Sequence, residues 1–400
     1  MKTEIITDNV DRARAILRGG GLVAVPTETV YGLACDGLNA DAVESVYDVK
    51  GRPPVKPLAL MVPGPEAIGD YGEDVPPAAL ALAEKFWPGP LTLVLRAKAA
   101  VPAIVRAGSE TVGLRCPDHP LTLSLLRVCG FPLAGPSANP SGAPSPRTAG
   151  EVLDYFDGKI DAVLDGGPCA LGTESTVFDM SRTPYRVLRQ GAVPEYDIRA
   201  ALADRLFLIG LTGGTGAGKT TALRVLQDMG ALTIDCDEVY HRMTEESDSL
   251  REALTVRFGP VYEGRTLDRK KLGAIVFADK AALGDLNAIT HRSMAGEIDR
   301  RLRDWAMAGG TVAAVDAIAL IQSGFAARCD AVVAVTAPAE VRVRRIMARE
   351  GVSEEYARLR IAAQPDDAYY RTHATATLVN DGTPEAFGEK CAALFRTLLP

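Results

Sequence analysis

The sequence predicts an α/β protein built as two successive domains, the second a doubly wound parallel sheet that carries a phosphate-binding loop. Three observations predict it. Short apolar runs alternate with helix-patterned stretches along the chain, as strands and crossover helices do in an open sheet. Gly213-Gly214-Thr215-Gly216-Ala217-Gly218-Lys219-Thr220 matches G-x-x-x-x-G-K-[ST] at every fixed position, between the apolar run 206–211 and a helical stretch that starts Thr221-Ala222-Leu223. A strand before and a helix after are the context this motif requires. The strand that feeds such a loop opens its domain, yet about 205 residues precede it here, roughly one further domain by the usual length scale.

In the first half, 22–25, 58–62, 91–95, 111–115, 162–164 and 185–188 read as strands, and 40–50, 78–87 and 121–128 as helices. The Pro- and Gly-rich stretch 132–146 has the composition of a linker, but apolar strands resume at Ala162, so it reads as a loop inside the first domain. The chain leaves its last strand after Gly191. This gives a first domain over 1–195, a linker with a short helix over 196–205, and a second domain over 206–400. The two halves carry different motifs and show no internal repeat.

In the second half, strands are expected at 231–234, 312–315, 331–335 and 376–379, separated by helices that include 281–305 and 339–349. Consecutive glycines let backbone N–H groups converge on phosphate oxygens, and the following helix adds the positive end of its dipole. Lys219 would reach the β and γ phosphates, and the Thr220 hydroxyl would ligate the Mg²⁺ that accompanies ATP. Asp235-Cys236-Asp237 ends the second strand, where carboxylates of a parallel sheet face the ligand crevice. One of them can accept the proton of an acceptor hydroxyl, or cap the helix that starts there.

Composition narrows the function. The 400 residues carry a net charge of −7 and a pI of about 5.4, which disfavours a broad nucleic-acid surface but permits a local basic cleft. The seven scattered cysteines form no C-x-x-C pair, so neither a disulfide framework nor a zinc site is expected. Nothing near Met1 is apolar for long enough to form a signal or a membrane span, so a cytoplasmic location is expected.

The second half resembles dephospho-coenzyme A kinase over essentially all of 206–400. The matches are Leu211-Thr212-Gly213-Gly214, Ile234-Asp235-Cys236-Asp237, the segments 272–277 and 286–291, Arg344 to Arg349, Arg358 to Gln364, and Val379-Asn380-Asp381-Gly382. The resemblance implies transfer of phosphate from ATP to the ribose 3′-hydroxyl of dephospho-coenzyme A, with Asp237 as the base. It also implies Arg349 and Asn380 on the nucleotide, and Asp235, Asp316 and Gln322 on the acceptor side. The family's D-x-P-L-L-x-E reads here Asp316-Ala317-Ile318-Ala319-Leu320-Ile321-Gln322, and a glutamine hydrogen-bonds but is no carboxylate. The family's His-Pro is His291-Arg292 here.

In the first half, four segments offer hydroxyls, amides and cations without a P-loop: Pro26 to Gly32, Lys50 to Pro57, Pro136-Ser137-Ala138-Asn139 and Glu174-Ser175-Thr176, with Arg115 and Arg189 at strand ends. Such groups suit a nucleotide held by side-chain charge. Together with Phe86-Trp87-Pro88-Gly89-Pro90, Gly113-Leu114-Arg115-Cys116-Pro117 and Leu188-Arg189-Gln190-Gly191, they resemble the threonylcarbamoyl-AMP synthase family over roughly 5–195. A twisted α/β sheet with a large basic hollow is implied. The implied reaction joins L-threonine, bicarbonate and ATP into threonylcarbamoyl-AMP for the t6A modification of tRNA, an activity that brings in partner proteins of that modification. By the same resemblance, Lys50, Arg52, Ser137, Asn139 and Arg189 hold ATP, and Thr29, Arg115 and Ser175 hold threonine. Lys56 serves bicarbonate or a phosphate.

The alternative is an RNA-binding first half fused to a nucleotide-binding switch without kinase turnover. Gln322 favours it, while the acidic pI and sparse aromatics disfavour it.

Overall fold

The computed structural model describes residues 2–400. They divide into two compact units, one running to Arg205 with Met307–Gly309, the other comprising Leu206–Ala306 and Gly310–Pro400.

The first unit holds strands β1 (Glu4–Ile6), β2 (Val23–Val25), β3 (Gly32–Asp36), β4 (Ala59–Met61), β5 (Gly72–Glu73), β6 (Leu91–Ala97), β7 (Thr111–Arg115), β8 (Leu133–Ala134), β9 (Ala162–Leu164), β10 (Thr176–Asp179) and β11 (Arg186–Arg189). They form one mixed sheet in the order β1-β9-β2-β3-β8-β4-β7-β6-β10-β11, with β5 beside β6. Leu17, Val23, Val25, Leu125, Leu133 and Leu164 pack into a core on it. Arg115 ends β7, Ser175 precedes β10 and Arg189 ends β11, and the antiparallel pairings β6/β7 and β10/β11 with the parallel pair β6/β10 bring these three termini to one edge of the sheet. The Pro-rich stretch 132–146 is a loop of this unit, bridged to β3 through Gly32 and Ser137.

Residues 196–205, expected as a linker with a short helix, belong to the first unit. Residues 196–203 lie in helix Glu195–Ala203, which buries Ile198, Ala201 and Leu202 against helix Pro77–Phe86 of the same unit. Burying an apolar stripe fixes that segment to the first unit's core.

The second unit holds β12 (Phe207–Thr212), β13 (Leu232–Asp235), a small hairpin β14 (Tyr262–Glu263) with β15 (Thr266–Leu267), then β16 (Val312–Asp316), β17 (Ala331–Thr336) and β18 (Ala376–Val379). Five of these form an all-parallel sheet in the order β13-β16-β12-β17-β18. β12 is central and almost wholly buried, as its unbroken apolar run requires when both faces are covered. Leu211, Leu223, Leu226, Phe387 and Phe395 fill the core around it. The chain runs from β12 to the sheet edge at β13, returns to β16 and crosses to β17. That reversal opens a crevice at the carboxyl ends of the strands, where Asp316 stands in register with both Asp235 and Leu211.

Candidate active sites

In the first unit the strand-end loops enclose a cavity of about 320 Å³, lined among others by Thr29, Arg52, Arg115, Ser137, Ser175 and Arg189. Six residues expected at a substrate site therefore share one hollow, although 160 positions separate the first from the last. Arg115 donates from Nη2 to Glu28 Oε1 at 2.7 Å and to Thr29 Oγ1 at 2.9 Å, while the other Glu28 oxygen accepts from the Asp118 backbone at 2.9 Å. Both side chains of the pair are nearly buried. The Arg115 Nε is shielded from solvent and has no hydrogen-bond partner. Ser175 shares a 2.9 Å hydrogen bond with Thr92 and accepts one from Arg189 at 3.2 Å.

Three expected ligands behave differently. Lys50 is buried, and its ammonium donates to the carbonyls of Ser137 and Asn139. It holds the Ser137–Asn139 turn and does not line the cavity. Burial pushes its amine down to about 8, with Arg52 acting in the same direction and Glu174 against it. Asn139 is buried and its amide donates to Pro140 and Ala143 carbonyls at 3.0 and 2.6 Å, bracing the proline-rich loop, while its Oδ1 has no partner. Lys56 is exposed on the turn; its backbone N–H donates to the Pro53 carbonyl and its carbonyl accepts from Arg52 and Tyr47. Arg52 also donates to Pro57 O at 3.0 Å, so its guanidinium shapes the basic turn from which it faces the cavity.

In the second unit the loop Gly213–Thr220 follows β12, and helix Lys219–Asp228 begins inside it. Gly213 has φ +135, and a Cβ there would lie 2.1 Å from the Val335 carbonyl, so only glycine fits. The loop is braced from later in the chain. Gln364 Oε1 accepts from the Thr215 backbone at 2.8 Å and its Nε2 donates to Thr215 Oγ1 at 2.8 Å. Arg342 Nε donates to Thr215 O at 2.9 Å, and Asn380 Nδ2 donates to Ala217 O at 2.9 Å. Asn380 in turn accepts from Arg345 at 2.9 Å. Asn380 is thus brought to the loop, where its amide sits against the backbone of Ala217 and Gly218. Arg349 is exposed and pairs with Glu350 at 2.5 Å, so the guanidiniums that reach the loop belong to Arg342 and Arg345, which stand seven and four positions before it.

Lys219 Nζ lies 3.7 Å from Asp316 Oδ1, with both side chains nearly buried. That distance is an ion pair without a hydrogen bond, and Oδ1 has no other partner. Burial pushes the Asp316 carboxyl up to about 7, with Lys219 opposing and Asp235 and Asp237 reinforcing. Asp235 caps helix Cys236–Glu246, accepting from the Asp237 and Glu238 backbones at 2.9 and 3.2 Å. Asp237 is exposed on the first turn of that helix, beyond the capping carboxylate. The thiol between them, Cys236, is pushed up to about 12 by burial and then by Asp316 and its neighbours, so it is no thiolate nucleophile. Thr220 is exposed and Thr221 half-buried at the helix start, and Gln322 is exposed beyond β16.

Sequence reasoning missed Glu174 in the first cavity, Glu28 behind its Arg115, and the roles of Arg342 and Gln364 in bracing the P-loop. For Arg342 alone a signal existed: it stands three positions before Arg345, on one face of helix Ala339–Glu350.

The fold agrees with comparisons to known proteins. A family model described as "Telomere recombination" matches residues 15–191, and one described as "Dephospho-CoA kinase" matches 207–385. The threonylcarbamoyl-AMP synthase of Pyrococcus abyssi is 42% identical over 192 residues, 48% of this chain and 56% of that protein. The threonylcarbamoyl-AMP synthase of Pseudomonas aeruginosa UCBPP-PA14 is 38% identical over 168 residues, 42% of this chain and 90% of that protein. The dephospho-CoA kinase of Geobacter sulfurreducens is 34% identical over 195 residues, 48% of this chain and 99% of that protein. The chain spans about half the length of the first curated synthases it matches. The chain is therefore an enzyme that joins two families, belonging through its first half to the threonylcarbamoyl-AMP synthases and through its second to the dephospho-CoA kinases.

Proposed function

We propose that the chain is bifunctional. Its first half makes threonylcarbamoyl-AMP from L-threonine, bicarbonate and ATP for the t6A modification of tRNA, and its second half phosphorylates the ribose 3′-hydroxyl of dephospho-coenzyme A. The observation that carries the reading is the presence of two unlike anion sites, each in its own compact unit: a cavity ringed by Arg52, Arg115 and Arg189, and a P-loop whose Lys219 meets Asp316 at the end of β16, in register with Asp235 of β13.

In the first reaction the threonine amine adds to CO₂ from bicarbonate, a carbamate oxygen attacks the α-phosphorus of ATP, and the bond to the β-phosphate bridging oxygen breaks to release pyrophosphate. Arg115, set by Glu28 and Thr29, receives the threonine carboxylate with Ser175 beside it. Arg52, Ser137 and Arg189 hold the nucleotide, with Lys50 and Asn139 fixing the loop that presents Ser137. Such a site works by orientation and charge placement.

In the second reaction the ribose 3′-oxygen attacks the γ-phosphorus, Asp237 takes the hydroxyl proton, and ADP leaves. Lys219 moves from Asp316 to the phosphates. Magnesium, when bound with the nucleotide, neutralises phosphate charge. The residues present fit it, because the Thr220 hydroxyl stands at the helix start and Asp316 keeps a buried oxygen without a hydrogen bond. Asp235 holds the helix that carries Asp237.

Separate incubations of the purified chain with ATP plus threonine and bicarbonate, and with ATP plus dephospho-coenzyme A, followed by mass spectrometry, test the reading. Both products are expected. Absence of either removes that half of the proposal.

A further inference from the structure

The first cavity contains a carboxylate that its anionic substrates do not explain. Glu174 lines it, accepts from Ser145 Oγ at 3.0 Å through Oε1, and is ion-paired through Oε2 with Arg189 Nη1. Its charge also acts on Lys50 and on Arg52. One glutamate therefore sits within the field of all three cations expected to serve ATP, and it has already claimed the Arg189 guanidinium. Arg189 has not been left free for a phosphate. Its Nε and Nη2 bind the Ser175 carbonyl at 3.2 and 2.8 Å, and Nη1 meets Glu174.

A negative group at a polyphosphate site needs a reason, since like charge at close range opposes binding. The pair is about half exposed, 47% for the Arg189 side chain and 38% for Glu174, and such pairs are weak and exchangeable. We propose that Glu174 is an internal counter-ion of the first site, which occupies Arg189 when no nucleotide is bound, is displaced by the polyphosphate, and returns to displace pyrophosphate after transfer. This rests on the first half's reading as an ATP-using synthase. The Ser145 contact ties the carboxylate to the proline-rich loop, so the exchange also loosens that loop from β11 as the nucleotide enters.

The test is steady-state kinetics of the threonine- and bicarbonate-dependent reaction on the full chain, with inorganic pyrophosphate as product inhibitor. Glu174→Gln keeps an acceptor for Ser145 and Arg189 but removes the competing charge. Losing one half-exposed ion pair is expected to tighten pyrophosphate inhibition and lower KM for ATP by about two- to fivefold, with KM for threonine unchanged. Glu174→Asp, which keeps the charge, should stay near wild type. A thermal melt of each variant checks the fold. Unchanged or weaker pyrophosphate inhibition in a folded Glu174→Gln variant would overturn the proposal and leave Glu174 as a brace for Arg189. A wild-type chain that makes no threonylcarbamoyl-AMP would overturn both this inference and the reading it rests on.

Discussion

The two phosphate sites proposed for this chain are built by opposite means. The first is assembled from side chains scattered between Thr29 and Arg189, and most are pinned by a neighbour: Arg115 by Glu28, Arg189 by Glu174, the Ser137 turn by Lys50. The second is one continuous loop whose backbone makes the cradle, and distant side chains such as Gln364 and Arg342 merely hold its shape. A backbone cradle tolerates few changes in its glycines and many around it. A side-chain cavity spreads its specificity over many residues, so single losses should be graded.

The largest expected break in this comparison is Gly213→Ala. The φ of +135 and the 2.1 Å approach to Val335 O leave no room for a Cβ, so the loop cannot close. Kinase turnover should fall by at least the order of 10²–10³ that follows loss of a transition-state contact, with threonylcarbamoyl-AMP formation intact. A kinase assay on the purified variant reads this.

Asp237→Asn should leave MgATP binding nearly intact while abolishing transfer, because an amide keeps the shape but takes no proton. Its companion, Gln322→Glu, sharpens the family comparison. Gln322 is exposed beyond β16, so restoring the acid should change wild-type turnover little. A silent wild type rescued by the glutamate would instead favour the switch without turnover.

In the first site, Arg52→Ala and Ser137→Ala should each depress threonine-dependent pyrophosphate release by roughly ten- to a hundredfold, as loss of a charge-assisted or hydroxyl contact does, and leave the kinase unaffected. Near-normal synthesis by both would remove them from the nucleotide site.

The smallest expected effects are opposite pH signatures. Lys50 is held at about 8 against an ordinary 10.5, so between those values the unfolded chain binds more protons and the first unit gains stability as pH rises. Asp316 is held at about 7 against an ordinary 3.8. Over that span the folded chain binds more protons, and the second unit loses stability as pH rises. In urea titrations followed by hydrogen exchange of each unit, Lys50→Met should flatten the alkaline slope and Asp316→Asn the acid one. Slopes that persist in the variants would assign them to other groups.

The same contrast governs what was legible in the sequence. The P-loop and its sheet could be read because a backbone cradle needs a fixed local spacing, and because β12, β16 and β17 are continuous apolar runs. The short strand Gly32–Asp36 hid in a run of Gly, Ala, Cys and Asp with weak strand preference. Arg52, Arg115 and Arg189 could be read as cations at strand ends and turns. Glu28 and Glu174 could not, since a carboxylate in an anion site runs against the charge expectation and declares itself only through its partner. Lys50 was legible as a cation but not as a clamp, because only the folded chain brings the carbonyls of Ser137 and Asn139 to its amine. Arg342 and Gln364 act across 127 and 149 residues on Thr215, a distance no local pattern encodes. The segment 196–205 looked like a linker because its apolar stripe is short, and its packing on helix Pro77–Phe86 is a tertiary fact.

The central claim is that one chain carries two independent ATP-using sites. It is tested most directly by giving wild type and Lys219→Ala the same mixture of ATP, Mg²⁺, threonine, bicarbonate and dephospho-coenzyme A and measuring both products by mass spectrometry. The account predicts that Lys219→Ala loses coenzyme A formation by on the order of 10²–10³ while threonylcarbamoyl-AMP accumulates as in wild type. A parallel fall of both products in a folded variant would contradict it.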